Sequence, residues 1–273
     1  MKKVVKFGGS SLANAEQFQK VGDIIRSDES RRYVVPSAPG KRFDEDIKVT
    51  DMLYGCYDAA SKGEDFSDKL KAIKERYYEI IKGLGLTLSL EDEFKKIEED
   101  FRAQAGIQYA ASRGEFLNGK IMAAYLGYDF VDAASVIRFD KNGNLEAEET
   151  NKLLSKKLSK CQSAVIPGFY GACADGTVKT FSRGGSDVTG SLVAKAIHAD
   201  IYENWTDVSG FLVTDPRIVH NPEPIEAITY RELRELSYMG ATVLHEDAIF
   251  PVRKEGIPIN IKNTNRPEDK GTF

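Results

Sequence analysis

The sequence predicts an α/β protein with a mainly parallel sheet covered by helices on both faces. Two observations carry this. Short runs rich in β-branched and aromatic residues recur along the chain, and stretches of helical period separate them. Strands alternating with helices imply right-handed crossovers, which make neighbouring strands parallel.

The strand runs, in order, are VVKF, YVVPSAP, YDFVDAASVI, SAVIPGFYG, ADIYENWTD and IPINIKNT. Between them, Leu70, Ile73, Tyr77, Ile80 and Leu84 recur at steps of three and four and mark one helical face. Ser89 with Asp92 opens a second such helix, which carries Leu90, Phe94, Ile97 and Phe101. No repeat or low-complexity segment interrupts the pattern. The charged stretch from Lys41 to Asp46 reads as a mobile loop. A soft boundary is expected near residue 190, giving lobes 1–190 and 191–273.

With 273 residues, the chain can bury a sizeable core as one large domain or two closely joined lobes. A composition of 41% hydrophobic and 29% charged residues is that of an ordinary soluble protein. The net charge of -4, with no basic cluster, argues against a nucleic-acid surface. Cys56, Cys161 and Cys173 form no CxxC pair, and His198, His220 and His245 are scattered, so zinc-ligand spacing is absent. Unpaired cysteines suggest a reducing, cytoplasmic location. The apolar run after MKK breaks at glycine, too soon for a signal segment or a membrane span.

The chemistry-bearing residues cluster at strand ends. In Lys6-Phe7-Gly8-Gly9-Ser10-Ser11, a cation and two glycines close the first strand. Ligands of parallel sheets collect at such carboxyl ends, and bare backbone N–H groups can cradle phosphate oxygens. A following helix (Ala15, Phe18, Val21, Ile24, Ile25) would add the partial positive charge of its N-terminus. The stretch fits neither standard nucleotide fingerprint, and a glycine turn with a solvated lysine fits equally well. A second Gly-Gly, Gly184-Gly185, stands between Arg183 and Ser186-Asp187 ahead of an apolar helix. Ser186 could be an N-cap and Asp187 a favourable first-turn charge, but neither role explains Arg183, which suits a carboxylate partner. Glu115 also reads as the end of a capping box from Ser112, the favoured reading by pattern alone. Thr50 in KVTDMLY reads as a helix cap, and Thr206-Asp207 and Asp215-Pro216-Arg217 as turn chemistry.

Taken together, KFGGSS, KVTDMLY, SRGEFLNGK, IPGFYG, SRGGSDVTGSLVA, WTDVSGFLVTDPRIV and MGATVLH resemble, in their order, the catalytic region of the aspartokinases, within the amino acid kinase family. The resemblance implies a three-layer αβα sandwich around about eight mainly parallel strands, with an amino-acid-binding N-terminal lobe and an ATP-binding C-terminal lobe. It implies that Lys6 and Asp187 are catalytic. Thr50, Glu115, Phe169, Arg183 and Ser186 would surround L-aspartate. Gly8, Gly9, Ser10, Thr206, Asp207, Arg217 and Thr242 would contact ATP, with Mg²⁺ accompanying the nucleotide. The implied activity is phosphorylation of the β-carboxylate to 4-phospho-L-aspartate, the first step of lysine, threonine and methionine biosynthesis.

Two departures leave alternatives open. Where many aspartokinases have a phosphate-binding lysine, this chain has Thr242, and a hydroxyl supplies no charge. The family also continues into paired ACT regulatory domains, through which the full-length form would be a homodimer. The sequence therefore looks like a catalytic fragment without feedback control. The alternatives are a weak or inactive nucleotide-binding fragment and a sister amino acid kinase.

Overall fold

The structure is a computed structural model that describes residues 1–182, 184–214, 218–220, 222–238, 244 and 246–273. Its strands are β1 (Lys3–Phe7), β2 (Arg31–Pro36), β3 (Asp129–Phe130), β4 (Ala164–Val165), β5 (Tyr170–Ala172), β6 (Val178–Thr180), β7 (Ile201–Thr206) and β8 (Ile259–Asn263). The helices of the first half are α1 (Ala15–Arg26), α2 (Val49–Ser61), α3 (Ser67–Gly83), α4 (Glu91–Arg102) and α5 (Ile107–Leu126). Those of the second half are α6 (Ala133–Val136), α7 (Ala147–Leu158), α8 (Gly185–Ala196), α9 (Tyr230–Tyr238) and α10 (Glu246–Glu255).

Six strands form one parallel sheet in the order β3-β4-β2-β1-β7-β8, while β5 and β6 pair separately as an antiparallel hairpin. The sandwich and the parallel sheet are as expected, and the expected eight strands divide into six and two. Buried side chains form two clusters, one on each face of the sheet. Val5, Phe7, Val34 and Trp205 meet α1 to α5. Val4, Val35, Tyr202 and Ile259 meet the layer that includes α7, α8 and α10.

This division follows from strand geometry, because successive side chains point to opposite faces. In β1, Val5 and Phe7 therefore face α1 to α5, and Lys6 falls on the face of Val4, towards α8. β1 is also where the strand order reverses. The chain leaves it for β2 on one side and later returns to β7 on the other. In open parallel sheets, ligands bind outside the carboxyl ends at such a switch point.

Three local expectations change. The residues after β1 form a single 3-10 turn, Gly9–Leu12, and α1 begins only at Ala15, where the Asn14 side chain accepts from the Gln17 N–H at 3.0 Å. The α-helix N-terminus expected at the glycine turn is thus displaced from it. Ser112 and Glu115 lie inside α5, with Gly106 at its N-cap, so no capping box forms. The 41–46 stretch is tied down by ion pairs: Asp46 is held by Arg42 at 2.8 Å and Arg76 at 3.0 Å.

Candidate active site

At the carboxyl ends of β1, β2 and β7 lies a cleft of about 530 Å³. Gly8, Gly9 and Ser10 form one wall, Thr206 and Asp207 a second, and Thr50 with Glu115 a third. Seven of the predicted residues therefore meet in one space. Two other hollows, of about 350 Å³ and 680 Å³, contain none of them.

Beneath the glycine wall lies Lys6, 8% exposed. Its ammonium is 2.7 Å from Asp187 in the first turn of α8 and donates to Asn204 Oδ1 at 3.3 Å. Asn204 Nδ2 in turn donates to Asp187 Oδ1 at 2.9 Å. The register makes this triangle inevitable: Lys6 pairs with Asn204 across β1 and β7, and both point towards α8. The ammonium is thereby fixed in place. Gly8 keeps it accessible, since a Cβ there would stand 3.6 Å from Lys6 Nζ.

Gly9 is required by a close approach. The Gly40 N–H donates to Gly9 O at 2.8 Å, and a Cβ on Gly9 would lie 2.9 Å from Ala38 O. The reverse substitution is worse, since a Cβ on Gly40 would lie 2.6 Å from the Gly9 carbonyl carbon. The turns after β1 and β2 are thus locked backbone to backbone.

The second Gly-Gly acts differently. Gly184 is the α8 N-cap with a left-handed φ of 55°, which displaces Ser186 from the capping role into the helix. Gly185 lies against Phe169, whose ring a Cβ would approach to 2.6 Å. Phe169 itself has φ 79°, a conformation that costs a side-chain-bearing residue roughly 1–3 kcal/mol. Its N–H donates to Thr189 Oγ1 and its carbonyl accepts from the Phe181 N–H, which hold it there. Thr50 is the second residue of α2, after Lys48 at the N-cap, and its hydroxyl makes no cap bond.

Glu115 is 6% exposed, and its Oε2 has no partner among the described residues. Burial pushes its carboxyl up to about 8, against the opposing pull of the Ala38 N–H. Burial thus favours the protonated form of Glu115 around neutral pH, and a cation brought beside it would favour the ionised form.

Of the remaining predicted residues, Arg183, Arg217 and Thr242 lie outside the described residues. Asn204, Lys41 and Lys48 were not anticipated. Two-residue alternation in ADIYENWTD, read against Lys6, could have indicated Asn204. No local pattern marks the two lysines.

The cleft at this switch point thus combines bare glycine backbone, a fixed cation beneath it and a buried carboxyl in its lining. Residues 1–263 match the model of the amino acid kinase family, and the chain belongs to that family. It is 41% identical to aspartokinase 3 of Bacillus subtilis (strain 168) over 99% of this chain and 63% of the relative. A solved aspartate kinase from Clostridium acetobutylicum superposes with a TM-score of 0.95 at 56% identity, covering 99% of this chain and 62% of that one. E. coli aspartokinase III, solved with aspartate and ADP, superposes with a TM-score of 0.86 at 28% identity over all of this chain and 64% of the other. The chain thus spans a little under two thirds of the length of these relatives. Among the described residues no helix is long and apolar enough to cross a membrane.

Proposed function

We propose that this chain catalyses ATP-dependent phosphorylation of the β-carboxylate of L-aspartate, giving ADP and 4-phospho-L-aspartate. This would be the first step of lysine, threonine and methionine biosynthesis. The observation that carries it is Lys6, buried and held by Asp187 and Asn204 directly beneath the glycine wall. The likeness to an aspartokinase solved with aspartate and ADP supports the choice of substrates.

In this reading a β-carboxylate oxygen bonds to the γ-phosphorus as the bond from that phosphorus to the ADP oxygen breaks. The carboxylate has a reference pKa near 3.9, so it attacks already ionised and no general base is needed. Lys6 and the Gly9 and Ser10 N–H groups stabilise the charge on the transferring group, Gly8 leaves room beside Lys6, and Asp187 orients Lys6 without taking a proton. Glu115 receives the substrate ammonium, and Arg183 a carboxylate. Phe169 and Ser186 shape the pocket, with Thr50 beside Glu115. Thr206, Asp207, Arg217 and Thr242 serve the nucleotide. Mg²⁺ enters with ATP, and an ion carried on phosphate oxygens needs only one or two protein carboxylates. Asp207 lines the cleft in a suitable place. The division at residue 190 into amino-acid and nucleotide lobes and a cytoplasmic location belong to the same proposal.

Hydroxylamine trapping of the acyl phosphate tests it, with Mg-ATP and aspartate, glutamate or N-acetylglutamate in separate reactions. Hydroxamate from aspartate alone is expected. Hydroxamate from another acceptor alone would make the chain a sister kinase. None from any acceptor, in a folded sample that binds ATP, would make it an inactive fragment.

A further inference from the structure

Between β2 and α2 the chain makes an excursion over residues 41–48, rich in charge, that the chemistry above leaves unused. A buried arginine on α3 clamps it at both ends. Arg76, 3% exposed, donates to Gly40 O at 2.6 Å and to Ile47 O at 3.4 Å, and pairs with Asp46 at 3.0 Å. It also reaches Ala13 O at 3.4 Å, tying the excursion to the end of the first glycine turn. Arg42 grips the same Asp46 carboxylate and holds it far below the usual range, so the clamp keeps its charge.

The residue after each clamped carbonyl is a lysine. Lys41 follows Gly40, Lys48 follows Ile47, and both line the cleft beside Gly8, Gly9 and Ser10. Neither pairs with a carboxylate among the described residues, whereas Lys6 is engaged by Asp187. The described cleft lining otherwise offers two acidic side chains, Glu115 and Asp207. Among the described residues Lys41 Nζ donates only to a neutral group, the Asp44 backbone carbonyl at 2.9 Å. A polyphosphate entering this space therefore meets positive charge not already paired with a carboxylate only at Lys41 and Lys48 among those residues.

We propose that Lys41 and Lys48 form a cationic arm that holds the phosphate oxygens of the incoming nucleoside triphosphate, and that Arg76 is the positioning residue that sets both lysines. This rests on the phosphoryl-transfer reading above. The arm supplies charge to the cleft that Gly8, Gly9, Ser10, Thr206 and Asp207 also line, so it bears on nucleotide binding.

The test uses the whole chain with Lys41→Gln/Lys48→Gln, Lys41→Arg/Lys48→Arg and Asp46→Asn, each checked for folding by circular dichroism. Equilibrium dialysis gives Kd for Mg-ATP, and hydroxamate kinetics give KM for ATP and aspartate. The glutamine pair is expected to raise Kd for Mg-ATP at least about ten-fold, as loss of charge-assisted bonds implies, with KM for aspartate within about two-fold. The arginine pair restores binding to within about three-fold, and Asp46→Asn raises KM for ATP by about three-fold. Wild-type affinity in the glutamine pair overturns the arm. A folded arginine pair as weak as the glutamine pair overturns it too, and an unchanged Asp46→Asn overturns the clamp. Failure of the wild type to bind Mg-ATP refutes the arm as well. Tight, lysine-dependent binding of Mg-ATP without hydroxamate from aspartate refutes only the choice of acceptor.

Discussion

Gly8-Gly9 and Gly184-Gly185 are the same dipeptide under different constraints. At the first, Gly8 has an ordinary extended backbone (φ -71°, ψ 166°), and neither glycine is left-handed. What the turn needs is space, above all for the Gly40 backbone packed against Gly9, with the buried Lys6 ammonium 3.6 Å from where a Gly8 Cβ would stand. At the second, Gly184 is required by its conformation, with φ 55°, and Gly185 by the ring of Phe169. The two turns come together in one ion pair, since the strand entering the first carries Lys6 and the helix leaving the second carries Asp187. Identical sequence signals thus mark a first turn where bulk alone is excluded and a second where Gly184 also supplies a left-handed backbone.

The sharpest way to break the comparison is to remove what the turns share. Lys6→Ala is expected to lower kcat by roughly three orders of magnitude or more, because the cation acts on charge developing in the transition state. Circular dichroism should show an unchanged fold, and hydroxamate kinetics give the rate.

Next in size is the contrast between the two carboxylates, Asp187 paired and Glu115 unpaired. Glu115 has its carboxyl raised from 4.5 to about 8, so between those values the folded state holds a proton that the unfolded chain has released. Stability of the unliganded protein therefore falls as pH rises through that window. Glu115→Gln removes this slope, and the variant should gain on the wild type by on the order of a few kcal/mol between pH 5 and 8. Paired thermal melts measure it. The same variant should raise KM for aspartate, because an amide cannot answer an ammonium.

Gly9→Ala comes third. Its Cβ meets backbone rather than a movable side chain, so a loss of about 2 kcal/mol in urea unfolding is expected, with weakened ATP binding. Gly184→Ala is the mildest, at about 1 kcal/mol, the ordinary cost of a left-handed alanine. If Gly184→Ala proved more damaging than Gly9→Ala, the assignment of space to one turn and handedness to the other would be reversed.

Much of this arrangement was legible in the sequence because it is local. Runs rich in β-branched and aromatic residues identify β1 and β7, the 3.6 period identifies α3, and Gly-Gly beside a charge at a strand end marks each turn. The remainder depends on partners far apart in the chain. Lys6 and Asn204 are 198 positions apart, and only the pairing of β1 with β7 brings them together. Arg76 reads as one polar residue on an amphipathic helix until its carbonyl partners at Gly40 and Ile47 are seen. The Lys41–Asp46 stretch looks solvated because its charges are plain in sequence, while the buried arginine that organises them is not. The left-handed φ of Phe169 has no sequence signal at all, since the residue type argues against it.

The most direct test of the central claim, that the two turns build one device through Lys6 and Asp187, is a double-mutant cycle on kcat. It uses Lys6→Ala, Asp187→Ala and the double variant, with hydroxamate as the readout. If the ion pair acts as a unit, the double variant falls no more than about three-fold below the worse single variant. Losses that multiply would mean the two residues act independently, and the account of two turns joined in one site would be wrong.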